Sequence, residues 1–226
     1  MRAIQAARPG GPDVLEVVDL PAPVPGPGEV LVDVAVAGVN FIDTYRRGGV
    51  YPQPFPHVPG VEGAGVVRAL GDDVTGVGVG DRVAWFDAPG SYAEQVVVPA
   101  DRTLAVPEGI DLPTAAALAL QGLTAHYLVD SSFPVGPGHD VLVHAGAGGV
   151  GLLLTQLAVA RGGRVVSTVS SDAKAALARD AGAAEALRYD LLDNLTTELP
   201  RFVRDLVPEG VAAVYDGVGR TTFDAS

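Results

Sequence analysis

The chain has no cysteine, one lysine, one methionine and one tryptophan in 226 residues. Without cysteine there is no disulfide framework, no thiolate nucleophile and no cysteine-ligated zinc, structural or catalytic. Charged residues make up only 19% of the chain, yet no apolar run reaches the roughly 18–20 residues needed to span a bilayer. The N-terminus, Met1-Arg2-Ala3-Ile4, opens directly into a strand pattern with no signal peptide, so a cytoplasmic location is expected. The net charge of −12 repels nucleic-acid phosphates and anionic membrane surfaces, and neither is an expected partner. With 48% hydrophobic residues the chain has ample material for a folded core.

The most informative stretch is Val141-Leu142-Val143-His144-Ala145-Gly146-Ala147-Gly148-Gly149-Val150-Gly151, followed by the apolar run Leu152 to Ala160. It reads as a buried strand, a glycine turn and a helix in unbroken succession. In such a G-x-G-x-x-G pattern Gly146 permits the tight turn, Gly148 lets backbone approach a pyrophosphate, and Gly151 allows close packing of helix on sheet. The phosphates then meet unpaired amides at the helix N-terminus. A glycine pattern alone is weak in a chain with 29 glycines, but here the flanking strand and helix supply the context for a dinucleotide.

The end of the next strand, Arg164-Val165-Val166-Ser167-Thr168-Val169-Ser170-Ser171, bears on which dinucleotide is bound. An NAD site usually carries Asp or Glu there, to accept from the ribose 2′-hydroxyl. This chain has Val169, then Ser170 and Ser171, with its sole lysine, Lys174, one helical turn on. Two hydroxyls and an ammonium suit a 2′-phosphate, hence NADPH. The same residues also suit a helix N-cap with Lys174 solvated, and the two readings are compatible. Asp172 stands against the phosphate, because a carboxylate beside it repels it.

Short β-type runs punctuated by Gly and Pro fill the first half: Met1 to Arg8, Val14 to Leu20, Glu29 to Val39, Gly63 to Leu70, Arg82 to Phe86 and Tyr92 to Val98. The proline-rich segment 20–28 between two of them reads as a rigid surface loop. Near Pro113 the character changes to helix formers. Strands at 141–144, 164–169, 186–189 and 211–215 then alternate with helical stretches, as in a parallel doubly wound sheet. The expected fold class is α/β, with a β-rich domain over 1–118 and the first part of a dinucleotide-binding domain over 119–226.

Four passages carry a resemblance to a known family: Ala37-Gly38-Val39-Asn40-Phe41-Ile42-Asp43-Thr44-Tyr45-Arg46-Arg47-Gly48-Gly49-Val50-Tyr51, Pro59-Gly60-Val61-Glu62-Gly63-Ala64-Gly65-Val66-Val67, Leu120-Gln121-Gly122-Leu123-Thr124-Ala125-His126-Tyr127-Leu128, and the glycine fingerprint with its preceding His144. The chain resembles the zinc-independent quinone oxidoreductases related to zeta-crystallin, within the medium-chain dehydrogenase/reductase superfamily. Zinc-dependent relatives carry a cysteine where this chain has Asn40, and a histidine where it has Val61. The resemblance therefore implies no metal, a GroES-like β-rich domain and a partial Rossmann domain with a cleft between them. It also implies hydride transfer from NADPH to a quinone. An enoyl or alkenal reductase of the same superfamily, and a catalytically silent NADPH-binding protein, remain open alternatives.

By position in the family pattern, Asn40, Tyr45 and Tyr51 line the substrate cleft, with Tyr51 the candidate donor to the acceptor oxygen and Asp43 supporting the helix that carries Asn40. Gln121 and Thr124 lie beside the nicotinamide ribose, Val150 backs the ring, Gly149 belongs to the fingerprint turn, and Tyr189 stands near the adenosine 2′-phosphate. Simpler readings are a helix cap for Asn40, a solvent-facing Gln121 and buried rings for the tyrosines. His57, His126, His139 and His144 show no ligand spacing. His144, at the top of the first strand, either touches cofactor or is simply buried. By resemblance the family runs about a hundred residues further and dimerises there, so a C-terminally truncated member is expected. Its last strand, near Val211 to Val214, would then have an open edge and an uncovered face.

Overall fold

A computed structural model describes all 226 residues, Met1–Ser226. The chain divides into two compact units, Met1–Leu120 and Gln121–Ser226.

The first unit is built on β1 (Arg2–Ala6), β2 (Leu15–Asp19), β3 (Glu29–Ala37), β4 (Gly63–Leu70), β5 (Arg82–Trp85), β6 (Gln95–Pro99) and β7 (Leu104–Ala105). β1 and β2 form an antiparallel ribbon, and the other five pair in the order β6-β3-β4-β5-β7. All six expected strands are present: β4 keeps its expected bounds, β6 starts later and runs one residue further, and the other four have trimmed ends. β7 was not expected, since two exposed residues show no alternation to read. The segment 20–28 is indeed the loop between β2 and β3.

Alternation along β3 places Val30 and Val32 in a core with Val67, Val83, Trp85, Val96 and Val98. Val34 packs on the same core, but Val36, of the same parity, packs instead with Ala64, Ala84 and the alanines Ala115, Ala116 and Ala119. A register shift between Val34 and Val36 accounts for the change of face. It also re-aims the chain just before the short helix α1 (Phe41–Arg47). Those three alanines belong to the helix α2 (Leu112–Tyr127), and their small side chains let it lie close to the sheet.

The second unit carries a parallel sheet of β8 (Asp140–Val143), β9 (Arg164–Val169), β10 (Glu185–Arg188) and β11 (Ala213–Tyr215), in the order β10-β9-β8-β11. Its helices are α3 (Gly149–Ala160), α4 (Asp172–Asp180) and α5 (Leu195–Leu206). Both faces are covered: β8 carries the unbroken apolar run Val141-Leu142-Val143, and β9 is buried from Val165 to Val169 although Ser167 and Thr168 interrupt its apolar residues. Val141, Val143, Val165 and Val169 meet Leu154 and Ala158 of α3 and Ala175 and Ala178 of α4. Leu142, Val166 and Leu187 meet Leu199 and Val203 of α5 on the other side.

The expectation of an uncovered face at the last strand is corrected here. Val211 and Val214 pack with α5 and with Ala225, which the hydrogen-bonded turns after Gly219 bring back onto the sheet.

Candidate active site

The strand, turn and helix of the glycine fingerprint are β8, 144–148 and α3. The left-handed residue of the turn is Ala145, with φ of 50°, and not Gly146. What Gly146 provides is proximity: a Cβ there would overlap Ser167 Oγ on β9 and sit 2.9 Å from Ser167 Cβ. A Cβ on Gly151 would collide with Ala145 O and lie 2.7 Å from Gly146 Cα, so this glycine lets α3 start against the turn. Gly148 caps α3 with no side chain, leaving its first amides open to an anion. The Gln121 side chain lies against Gly149, where a Cβ would overlap its Oε1. Val150, the second residue of α3, packs on the core, and Thr124 follows Gln121 by three residues on α2. This cradle fits a pyrophosphate.

At the ends of β9 and β10, Val169 and Arg188 are Cα partners, so Ser170 and Tyr189 leave adjacent strand ends together. Lys174 Nζ donates to Ser170 Oγ at 3.0 Å, while Ser171 Oγ caps α4 by accepting from Lys174 N–H at 3.2 Å. The cap and the hydroxyl–ammonium pair thus coexist. Asp172, the residue that stood against a 2′-phosphate, accepts from Arg188 Nη1 at 2.6 Å. Arg188 also grips Asp190 through Nε and Nη2 at 2.7 and 2.6 Å, and the two carboxylates hold its guanidinium firmly charged.

In the first unit, Asn40 is the N-cap of α1, and Asp43 closes a capping box by accepting from Asn40 N–H at 3.0 Å through Oδ2. The same oxygen accepts from Tyr92 OH at 2.9 Å, and Asp43 is buried, with Oδ1 unpaired. Burial and the Asp43 carboxylate push the Tyr92 hydroxyl well above its ordinary range, so it remains a donor.

Asn40 Nδ2 donates to Glu62 Oε2 at 2.6 Å, and Glu62 Oε1 accepts from the amide of Leu120. Glu62 is fully buried, and burial raises its pKa despite these two bonds. Gly38 is required beside it, since a Cβ there would overlap the Glu62 carboxylate. Tyr45 and Tyr51 are exposed and meet edge to face, with ring centroids 6.0 Å apart, and Phe41 adds a third ring 6.5 Å from Tyr45. The capping amide of Asn40 therefore sits on an element whose outer surface is aromatic, a surface suited to a planar acceptor.

The structure brings together Asn40 and Asp43, Tyr45 and Tyr51, and Ser170 and Lys174. Sequence reading missed Phe41, Glu62, Tyr92 and Arg188. Of these Phe41 and Glu62 stand inside the family passages 37–51 and 59–67, and Tyr92 and Arg188 stand outside them.

His144 is a satisfied core residue: Nδ1 meets Thr168 Oγ1 at 2.9 Å and Nε2 meets Ser226 Oγ at 3.1 Å, and burial lowers its pKa. Ser226 Oγ donates in turn to Asp216. Burial alone would raise the Asp216 pKa, but bonds from Gly219 N–H, Thr222 Oγ1, Ser226 Oγ and Val218 N–H outweigh it and bring the carboxylate down to about 2.

Residues 26–108 match the family described as alcohol dehydrogenase GroES-like domain, and residues 149–226 match the one described as zinc-binding dehydrogenase. The residues here do not fit a zinc ion. Asn40 donates its amide to Glu62, and no three His, Asp or Glu side chains converge as a metal site. The quinone oxidoreductase of Pseudomonas aeruginosa is 44% identical over 228 residues, covering 100% of this chain and 69% of its own length. A solved mycobacterial protein complexed with NADPH is 51% identical with a TM-score of 0.96, covering 100% of this chain and 70% of that one. The quinone oxidoreductase of Escherichia coli complexed with NADPH is 36% identical with a TM-score of 0.95, covering 100% and 69%. With such likeness along its whole length, the chain belongs to the quinone oxidoreductase family of medium-chain dehydrogenases/reductases.

Proposed function

We propose that this chain is an NADPH-dependent quinone reductase that works without zinc. The observation that carries the reading is the end-to-end similarity to proteins named quinone oxidoreductase, one of them solved with NADPH. When bound, NADPH supplies the hydride. The first amides of α3 receive the pyrophosphate, and Ser170 and Lys174, with Tyr189 alongside, receive the 2′-phosphate. Gln121, Thr124, Gly149 and Val150 form the wall beside the nicotinamide end.

Negative charge develops on one acceptor oxygen as the quinone takes up the hydride, and neutral donors suffice to stabilise it. Tyr51 OH is the candidate donor there, and Asn40 the candidate for orienting the ring against Tyr45. Asp43 acts through Asn40, as a positioning residue. Solvent supplies the proton that completes the hydroquinone. A cytoplasmic location and a homodimeric assembly belong to the same reading, supported by the family likeness.

The test is oxidation of NADPH and NADH by the purified chain with a quinone and then an enone as acceptor. NADPH-preferring turnover on the quinone is expected. Folded protein that binds NADPH but reduces neither acceptor would point to a silent nucleotide-binding protein. Faster turnover of the enone would reassign the acceptor class.

A further inference from the structure

Asp172 is the only carboxylate in the first turn of α4, the position from which an acid would repel a 2′-phosphate. Its side chain is 96% exposed, whereas that of its partner Arg188 is only 21% exposed. The guanidinium is therefore the fixed member of the pair. Asp190 holds it with two parallel bonds, to Nε at 2.7 Å and to Nη2 at 2.6 Å, leaving Nη1 to hold Asp172 at 2.6 Å.

The charges gathered at this end of β9 and β10 are Lys174 and Arg188 against Asp172 and Asp190, a balance of zero; without Arg188 the balance is −1. An anion arriving at Ser170 and Lys174 thus meets a neutral surface only because of Arg188. Arg188 reaches that surface because it ends β10 in register with Val169, the residue before Ser170.

We propose that Arg188 determines cofactor specificity: by holding the Asp172 carboxylate, and being itself braced by Asp190, it makes the Ser170–Lys174 pair acceptable to the 2′-phosphate of NADPH. This rests on the NADPH reading above and names a positioning residue for it. Arg188 acts on the electrostatics of the site and through Asp172, and the consequence is specific to the nucleotide that carries the extra phosphate. NADH, lacking that group, is indifferent to the pair.

The test is calorimetric titration of the 226-residue chain with NADPH and with NADH, reading binding rather than turnover. Arg188→Ala is expected to weaken NADPH about fivefold, the scale of one exposed ion pair, and to leave NADH within about twofold. Adding Asp172→Ala to that variant is expected to restore NADPH to within about twofold of the parent, since the unheld carboxylate is then gone. Arg188→Gln, which keeps a polar but uncharged and shorter side chain on the aliphatic stem, should repeat the loss if Arg188→Ala does not fold.

Equal weakening of both nucleotides, no weakening of either, or failure of Asp172→Ala to restore NADPH would overturn the inference while leaving the NADPH reading in place. A parent chain that binds the two nucleotides equally would overturn the NADPH reading and this inference together.

Discussion

Asn40 Nδ2 lies 2.6 Å from Glu62 Oε2, an amide of the candidate site hydrogen-bonded to a carboxylate with no solvent exposure. Glu62 accepts a second bond from Leu120 N–H, so both of its oxygens face donors. Glu62→Gln must turn its own NH2 toward one of them, and a loss of about 1–3 kcal/mol is expected from the bond it cannot make. The pH dependence should change too. Burial raises the folded pKa above the ordinary 4.5, so the unfolded chain ionises first and stability is lost as pH rises from 4.5 through the raised value. Urea unfolding across that window should show the loss in the parent and its absence in Glu62→Gln.

Ala145 occupies the left-handed region with φ of 50°, where an L side chain costs about 1–2 kcal/mol. Ala145→Gly removes that cost and loses roughly 0.5–1 kcal/mol to the freer unfolded chain. A net gain of about 0.5–1 kcal/mol in unfolding free energy is expected. A loss would show that the methyl group is held by contacts stronger than the strain.

Gly146 and Gly151 should respond differently to alanine. At Gly146 the overlap is with a side chain, Ser167, and Gly146→Ala is expected to cost about 1–3 kcal/mol, partly recovered by Ser167→Gly. At Gly151 the colliding atoms are backbone, Ala145 O and Gly146 Cα, so no second substitution should rescue Gly151→Ala. Thermal unfolding of the two single variants and the double variant decides the matter.

Tyr51→Phe removes the candidate donor while keeping the ring that meets Tyr45. Quinone turnover should fall about ten- to hundredfold with NADPH binding unchanged. Unchanged turnover would shift the donor role to Asn40.

Asp216 titrates at about 2 in the folded chain, below its ordinary 3.8. Its contribution is present above 3.8 and lost as pH falls through about 2, by the sign that holds for a depressed carboxylate. Protection of the Thr222 and Ser226 amides, measured against their intrinsic exchange rates, should therefore fall on acidification through that window, and in Asp216→Asn it should be low already at neutral pH.

Much of the fold was legible because local rules and the tertiary answer agree. The valines of β3 and the apolar run Val141-Leu142-Val143 of β8 mark buried strands directly in the sequence. The strand, glycine turn and helix carry the nucleotide cradle within a dozen residues. What stayed hidden depends on partners distant in sequence. Asp172 looked like an argument against a 2′-phosphate because its partner, Arg188, arrives from the neighbouring strand 16 residues on. Glu62, 22 residues from Asn40, is visible as an acid but not as a hydrogen-bond partner until β3 and β4 pair. Ala145 was invisible for another reason: turn chemistry favours glycine there, and the chain bears the strain instead.

The sole lysine of the chain is bonded to Ser170 in the first turn of α4. The only other amine is that of Met1, which donates to the Leu20 carbonyl in the other unit. The proposed 2′-phosphate position is therefore chemically addressable without engineering. An amine-directed label has one side chain to modify, and a lysine-specific protease has one bond to cut, after Lys174. Protection of that single position by a nucleotide would be read in one mass difference, a footprint of the proposed adenosine end alone.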